Sequence, residues 1–321
     1  MRLETVAVIG AGAWGTALAQ AAAKAGRSVT LVGRDATVIE DVSRHHRNRK
    51  HLGELPLSEH ITAAATLPDA DLVILAVPAQ QSRAALLPVA GALAGKPVIL
   101  SAKGLEAGTL KRQSEILAEI APTATPYVLS GPSFAADVAA GRPTAVTLAG
   151  DDPDATAAVA AAMAGPTFRP YAAGDILGVE IAGALKNVYA LACGAVEGAS
   201  LGASARAALI ARGYAELARY VVALGGAAST LNGLAGLGDL TLSCTSQESR
   251  NYRYGMALGA GAPPSAALAE GVATAPVAQA LARRLGIDAP LVDAVILLLD
   301  GNSSISDIVA GLMSRPLKRE Q

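Results

Sequence analysis

Six residues near the start, Gly10-Ala-Gly-Ala-Trp-Gly15, constrain the fold of this chain more than any other stretch. Before them Thr5 to Ile9 is a short β-branched run that reads as a buried strand. After them Thr16 to Lys24 reads as a helix ending at Gly26, and Ser28 to Val32 as the next strand. A strand, a Gly-x-Gly-x-x-Gly turn, a helix and a second strand form the frame of a dinucleotide fingerprint. Gly10, Gly12 and Gly15 permit a tight turn, close approach of backbone to a pyrophosphate, and packing of helix on sheet. The helix N-terminus then offers free N–H groups and the positive end of its dipole to the phosphates. The expected cofactor is a nicotinamide dinucleotide.

The end of the second strand bears on which one. An acid there usually holds the ribose 2′-hydroxyl, whereas an arginine accommodates a 2′-phosphate. The text is Gly33-Arg34-Asp35. Arg34 favours NADP(H), and Asp35 keeps NAD(H) open. Next come His45, His46, His51 and His60, interspersed with Arg44, Arg47, Arg49 and Lys50. No two of these histidines stand at a helical i, i+4 spacing, so the stretch reads as helix end and solvated flap, with no metal site expected.

Further buried strands are expected at 71–77, 97–101, 125–129, 144–148 and 166–170, with an Ala-rich helix between the last two. Asp151-Asp152-Pro153 opens that helix with acids and a proline, as a first turn prefers. Open α/β sheets bind ligands beyond the carboxyl ends of their strands. Lys103, directly after the strand at 97–101, therefore stands where a substrate anion or carbonyl is met. After the strand at 125–129 comes Ser130-Gly-Pro-Ser133. Ser133 is expected to cap a helix starting at or near it, and with Gly131 to form an anion-friendly corner.

From Gly174 onward the pattern turns wholly helical, with helices near 175–198, 203–224, 249–259, 272–285, 289–299 and 305–313. The expected architecture is an α/β Rossmann-type domain over 1–174 followed by an all-α domain over 175–321. Asp175 suits a helix N-cap, and Leu177, Ile181, Leu185, Val188 and Ala192 recur as one apolar stripe. Lys186 stands beside that stripe among the small residues Ala182, Gly183 and Ala190, where an ammonium is costly unless paired or labile. Asp239 sits among Gly and Leu residues, where a carboxylate is hard to keep solvated. Ser249-Arg250-Asn251 sets a hydroxyl, a forked guanidinium and an amide in succession, chemistry suited to phosphate and equally to a helix cap with a surface arginine.

Composition narrows the class. The chain has 321 residues, about two domains' worth. Its formal charge of −1 gives no reason to expect a nucleic-acid surface. Hydrophobic residues make up 52% but aromatics only 3%, and alanine supplies much of the bulk. No uninterrupted apolar run reaches the roughly 18 residues of a membrane span. No signal-peptide pattern opens the chain, and Cys193 and Cys244 are too few and too distant for a disulfide framework or a thiolate metal site. A cytoplasmic α/β protein is expected.

Taken together, Gly10 to Leu18, Lys103-Gly-Leu-Glu106, Leu129-Ser-Gly-Pro-Ser-Phe-Ala135, Glu180 through Lys186-Asn187, Gly236-Leu-Gly-Asp-Leu240, Ser249-Arg-Asn251 and Glu270-Gly-Val-Ala-Thr274 resemble the NAD(P)-dependent glycerol-3-phosphate dehydrogenases of the bacterial type. Each block alone is unspecific; their order along the chain is not. The flap departs from that family's usual Leu-Pro-Gly ending, reading Asn48-Arg-Lys-His-Leu-Gly-Glu54. The resemblance implies reversible reduction of dihydroxyacetone phosphate to sn-glycerol 3-phosphate, a phospholipid precursor, with Lys186 as proton donor and acceptor. It further implies that Lys103 polarises the carbonyl and touches the nicotinamide side, and that Asp239 orients Lys186 or a substrate hydroxyl. Ser249, Arg250 and Asn251 would hold the phosphate or its neighbours, Ser133 and the Gly131 backbone would complete the pocket, and Ala13, Trp14, Arg34, Ala135, Arg250 and Glu270 would meet the cofactor. Related two-domain β-hydroxyacid dehydrogenases lack the Ser-Arg-Asn and Gly-Leu-Gly-Asp-Leu blocks, and an idle cofactor-binding sensor would have no need of Lys103, Lys186 and Asp239 together. The helical half offers a face on which two copies can pair, so a homodimer is expected.

Overall fold

The computed structural model describes residues 3–265 and 269–316. Strands β1 (Thr5–Ile9), β2 (Ser28–Val32), β3 (Ile61–Ala64), β4 (Leu72–Leu75), β5 (Pro97–Leu100), β6 (Thr125–Ser130), β7 (Thr144–Ala149) and β8 (Phe168–Ala173) form one sheet. Helices α1 (Ala13–Lys24), α2 (Ala36–His45), α3 (Arg49–Leu52), α4 (Ser82–Leu86), α5 (Gln113–Ile120), α6 (Ala135–Ala140) and α7 (Pro153–Met163) belong to the same half. The remainder is helical: α8 (Ile176–Gly198), α9 (Ala203–Ala223), α10 (Asp239–Thr245), α11 (Arg250–Gly259), α12 (Glu270–Leu285), α13 (Pro290–Asp300) and α14 (Ile305–Met313).

Strand order is β3-β2-β1-β4-β5-β6-β7-β8, parallel except where β6 meets β7 with Leu129 opposite Leu148. The order reverses direction at β1, so a crevice opens past the carboxyl ends of β1 and β4, where such sheets bind ligands. Apolar residues of α1, α2, α6 and α7 cover one face of the sheet. The other face is closed by α4, α5 and the first turn of α8 through Ile176 and Val179. The core of the helical half gathers around the rest of α8.

Local chemistry explains most boundaries. Asp152 accepts a hydrogen bond from Ala155 N at 2.8 Å with Pro153 beginning α7, and Asp175 accepts from Gly178 N at 2.8 Å to begin α8. Asp175 also accepts from Ala227 N and Thr230 Oγ1, joining the start of α8 to the turn after α9. Helix α13 has no cap of its own. Glu216, reaching across from α9, accepts from Leu291 N at 3.0 Å and Val292 N at 3.1 Å and supplies it.

One strand went unread and two sequence expectations need correction. The edge strand β3 begins directly after the stretch read as helix end and flap, and its Ile-Thr-Ala-Ala text has a single large apolar residue to mark it. Ser133 is not a helix cap: α6 begins two residues later with Phe134 in the cap position, and the Ser133 hydroxyl donates to Gly131 O at 2.9 Å. Helix α8 is not buried along one stripe but on every side from Ile176 to Ala195 except for Leu177. By length and composition it is apolar enough to cross a membrane, yet 94% of that window is buried, which is what a central core helix looks like.

Helix α11 lies along α8 with backbone against backbone. A methyl added at Gly194 or Gly198 would collide with the carbonyls of Tyr252 or Met256, and one at Gly255 or Gly259 with those of Leu191 or Ala195. In both helices the glycines stand four apart, so each i, i+4 row forms a groove for the other helix. The same row continues to Asn251, whose Nδ2 donates to Asn187 Oδ1 at 2.9 Å.

Candidate active site

Gly10 follows β1 with φ +118°, and a Cβ there would lie 2.5 Å from Ala76 O. Only glycine fits that close approach. A Cβ on Gly15 would collide with the Gly10 carbonyl, so helix α1 sits tight on the turn. Gly12 differs: nothing lies within 4 Å of an added Cβ, and it starts α1 without a side-chain cap. The first amides of α1, at Ala13 and Trp14, are thus left without a side-chain cap. Trp14 also carries a buried indole N–H without a hydrogen-bond partner among the described residues. An uncapped helix N-terminus, an open glycine and unspent donors fit the pyrophosphate of a dinucleotide.

From this turn a cleft of about 770 Å³ runs between the carboxyl edge of the sheet and the helical half. Of the sequence-predicted site residues, Gly12, Ala13, Trp14, Lys103, Ser133, Ala135, Lys186, Ser249, Arg250, Asn251 and Glu270 line it. Gly10 and Gly15 lie in the turn beneath, and Asp239 is wholly buried behind the wall. Arg34 stands outside the lining, exposed at the end of β2.

The chemical centre is a cluster of three charges. Asp239, at the start of α10, uses one oxygen for the Lys186 ammonium and the other for Lys103 Nζ at 2.7 Å. Lys186 also donates to Ser243 Oγ at 2.8 Å, and Lys103 to Gly131 O at 3.0 Å. Burial drives the Lys186 ammonium down to about 8; the Asp239 charge opposes this and the Lys103 charge adds to it. Burial pushes the Asp239 carboxyl up, but the Lys103 and Lys186 charges overcome it and hold the group below its ordinary value. Two cations share one anion, which leaves a net positive charge at the cleft wall.

Around this cluster runs an amide relay. Asn187 Nδ2 donates to Lys103 O at 2.9 Å, Asn251 Nδ2 to Asn187 Oδ1 at 2.9 Å, and Gly271 N to Asn251 Oδ1 at 2.9 Å. Loop, α8, α11 and α12 are thereby fixed together. Ser249 is the N-cap of α11, accepting from Tyr252 N at 3.3 Å, and Arg250 is exposed to the cleft. Glu270 accepts from Ala79 N at 3.1 Å across the cleft, and burial raises its carboxyl, with that amide and Arg250 partly compensating.

Three contributors went unread in the sequence. Ser243 stands i+4 from Asp239, a signal that was there once α10 is recognised as a helix. Asn187 is next to Lys186 yet turns toward Lys103, which only the packing reveals. Asn48 of the flap is buried and donates to Ala11 O at 3.0 Å and Thr16 Oγ1 at 2.8 Å, tying the flap to the glycine turn.

Two family models match in succession: the N-terminus of NAD-dependent glycerol-3-phosphate dehydrogenase over residues 5–156 and its C-terminus over 175–310. A glycerol-3-phosphate dehydrogenase named for NAD(P)+ from Caulobacter vibrioides is 50% identical, covering 100% of both chains. Another from a Bradyrhizobium species is 51% identical over 99% of each. Among solved structures, glycerol-3-phosphate dehydrogenase from Coxiella burnetii superposes with a TM-score of 0.91 at 34% identity, covering 98% of this chain and 99% of that one.

Proposed function

The chain belongs to the NAD-dependent glycerol-3-phosphate dehydrogenase family, and on that premise we propose how its lysine pair carries the reaction. The protein is an oxidoreductase that reversibly reduces dihydroxyacetone phosphate to sn-glycerol 3-phosphate with NADH or NADPH. Bound nicotinamide supplies the hydride to the ketone carbon. The rest falls to side chains.

As hydride arrives, the ketone oxygen gains charge and needs a proton. Lys186 gives it: an Nζ–H bond breaks, an O–H bond forms, and the electron pair stays on nitrogen. In the reverse direction the neutral amine takes the hydroxyl proton. An ammonium near 8 is close to balance in a cell at neutral pH, where general acid–base catalysis works best. Lys103 polarises the carbonyl and faces the nicotinamide side, a preorganised charge of the kind that contributes most in a dry site. Asp239 orients both ammonium groups and keeps their repulsion in check. Arg250, Asn251 and Ser249 hold the phosphate, with Ser133 and the Gly131 backbone closing the pocket. Gly10, Gly12, Ala13, Trp14 and Gly15 receive the pyrophosphate, and Arg34, Ala135, Arg250 and Glu270 complete the coenzyme groove. The observation that carries this reading is the buried Lys186, bonded to Asp239 and Ser243 at the cleft wall.

We also take residues 1–174 as the coenzyme-holding unit and 175–321 as the catalytic one, working as a cytoplasmic homodimer that feeds glycerophospholipid synthesis. NADP(H) is the preferred coenzyme because Arg34 offers its guanidinium at the end of β2. With two ammonium groups on the carbonyl, the chemistry calls on no metal.

The test is coenzyme oxidation followed by absorbance, with dihydroxyacetone phosphate beside unphosphorylated dihydroxyacetone and NADPH beside NADH. Turnover restricted to the phosphorylated ketone, lost in Arg250→Ala through KM, supports the phosphate site. Equal rates on both ketones would remove it.

A further inference from the structure

We infer that Lys50, in the flap, decides coenzyme choice by masking Asp35; this rests on the NADP(H) preference proposed above. Asp35 occupies the position at which an acid normally receives the ribose 2′-hydroxyl. Here neither of its oxygens is free. Oδ1 accepts from Thr37 N at 2.9 Å and Thr37 Oγ1 at 2.7 Å, capping α2, and Oδ2 accepts from Lys50 Nζ at 2.7 Å. Next to it Arg34 is exposed and has no ion-pair or hydrogen-bond partner among the described residues. An unmasked carboxylate beside Arg34 would repel a 2′-phosphate and welcome a 2′-hydroxyl. Paired with Lys50 it does neither, and the Arg34 charge stands unopposed.

The pair is not needed to hold the flap. Arg49 N donates to Asp41 at 2.8 Å, and the Arg49 guanidinium pairs with Asp41 and, at 2.9 Å, with Glu54. Asn48 anchors the same turn to α1. The other nearby acid on α2, Glu40, is paired with Arg44 at 2.7 Å. Lys50 is thus the cation assigned to Asp35, and exposed as the pair is, its value lies in the charge it cancels and not in stability.

The experiment measures binding of adenosine 2′,5′-bisphosphate and of AMP by calorimetry, alongside the NADPH-to-NADH ratio of kcat/KM. Wild type, Lys50→Ala, Asp35→Asn and the double variant are compared; asparagine keeps the capping acceptor for α2. Lys50→Ala is expected to weaken the bisphosphate roughly tenfold while sparing AMP, and to shift the kcat/KM ratio toward NADH by a similar factor. Adding Asp35→Asn to it is expected to restore most of the loss, since there is then no charge left to mask. A wild-type preference for the bisphosphate that Lys50→Ala leaves intact overturns this inference alone. Loss without rescue by Asp35→Asn also overturns it, because Lys50 would then act by direct contact. Equal wild-type affinity for the two nucleotides overturns the NADP(H) reading and the inference with it.

Discussion

Asp239 and Glu216 are both carboxylates buried to 0% exposure in the helical half, and burial pushes both toward the neutral form. They end on opposite sides. Asp239, between two ammonium groups, is held below its ordinary value. Glu216 has only the Leu291 and Val292 amides, the Tyr189 hydroxyl at 3.4 Å and an Arg219 guanidinium at 3.7 Å, and is raised from 4.5 to about 7. Two backbone amides and one half-exposed guanidinium at 3.7 Å soften the cost of burying Glu216, whereas two ammonium groups bonded directly to Asp239 reverse it. A cap needs only hydrogen-bond acceptors, so α13 tolerates a weakly acidic Glu216. The proton role proposed for Lys186 needs a charged partner, and Asp239 stays charged.

Four variants sharpen or break that contrast. The largest effect is expected from Lys186→Met, which removes the transferable proton: kcat/KM should fall about 10³- to 10⁴-fold with coenzyme affinity kept. Near-normal turnover there would end the proton role. Asp239→Asn comes next, expected to cost about 10²- to 10³-fold in rate and about 3–5 kcal/mol of stability, because two buried ammonium groups lose their counter-charge. Urea unfolding at pH 7 measures the second figure, and an unchanged midpoint would mean that the charges are not truly dry.

Lys103→Met should lower the rate about 10²-fold, as loss of one charge-stabilising donor does. It also removes a like charge from Lys186, so the ammonium should hold its proton to higher pH. In wild type, ketone reduction should decline as pH rises through about 8 and alcohol oxidation should rise. In the variant both limbs should move upward; limbs that stay put, or move down, would refute the coupling.

The smallest effect belongs to Glu216→Gln, which should leave catalysis alone. Because the folded-state value is raised, wild-type Glu216 contributes most below about 4.5 and loses that contribution as pH climbs toward about 7. The loss is on the order of 3 kcal/mol. Glutamine cannot ionise, but its amide nitrogen cannot accept from Leu291 N or Val292 N, so the variant should lie below wild type near pH 4.5 and gain on it toward pH 8. Parallel stability profiles would show that the cap carries full charge after all.

The sequence carried much of this, unevenly. The glycine turn and the strand spacing made the sheet legible, because β1, β2, β4 and β5 are rich in Val, Ile and Leu, whereas β3, no shorter than β4 or β5, is mostly alanine and threonine. Lys186 was legible as an anomaly, a cation among small apolar residues. Its partner was harder: Asp239 belongs to a different helix, and α10 follows a π-turn at Leu234–Gly238 with no ordinary start signal. The amide relay through Asn187 and Asn251 was not legible, since an amide's partner depends on which helices touch. Ser133 shows the limit in the other direction. Its residue type favours a cap, but α6 starts at Ala135 with Phe134 in the cap position, and the Ser133 hydroxyl turns back to donate to Gly131 O.

The glycine-to-backbone seam between α8 and α11 has one more consequence. Lys186 rides on one helix and Arg250 begins the other, so the spacing of the two helices that carry them is set by peptide against peptide at Gly194, Gly198, Gly255 and Gly259, with the Asn187–Asn251 bond continuing the row. Such a gauge has no adjustable part. Under the roles proposed for Lys186 and Arg250, the length of the substrate would be matched to the thickness of two backbones, and a side chain added at any glycine of that seam would prise the helices apart.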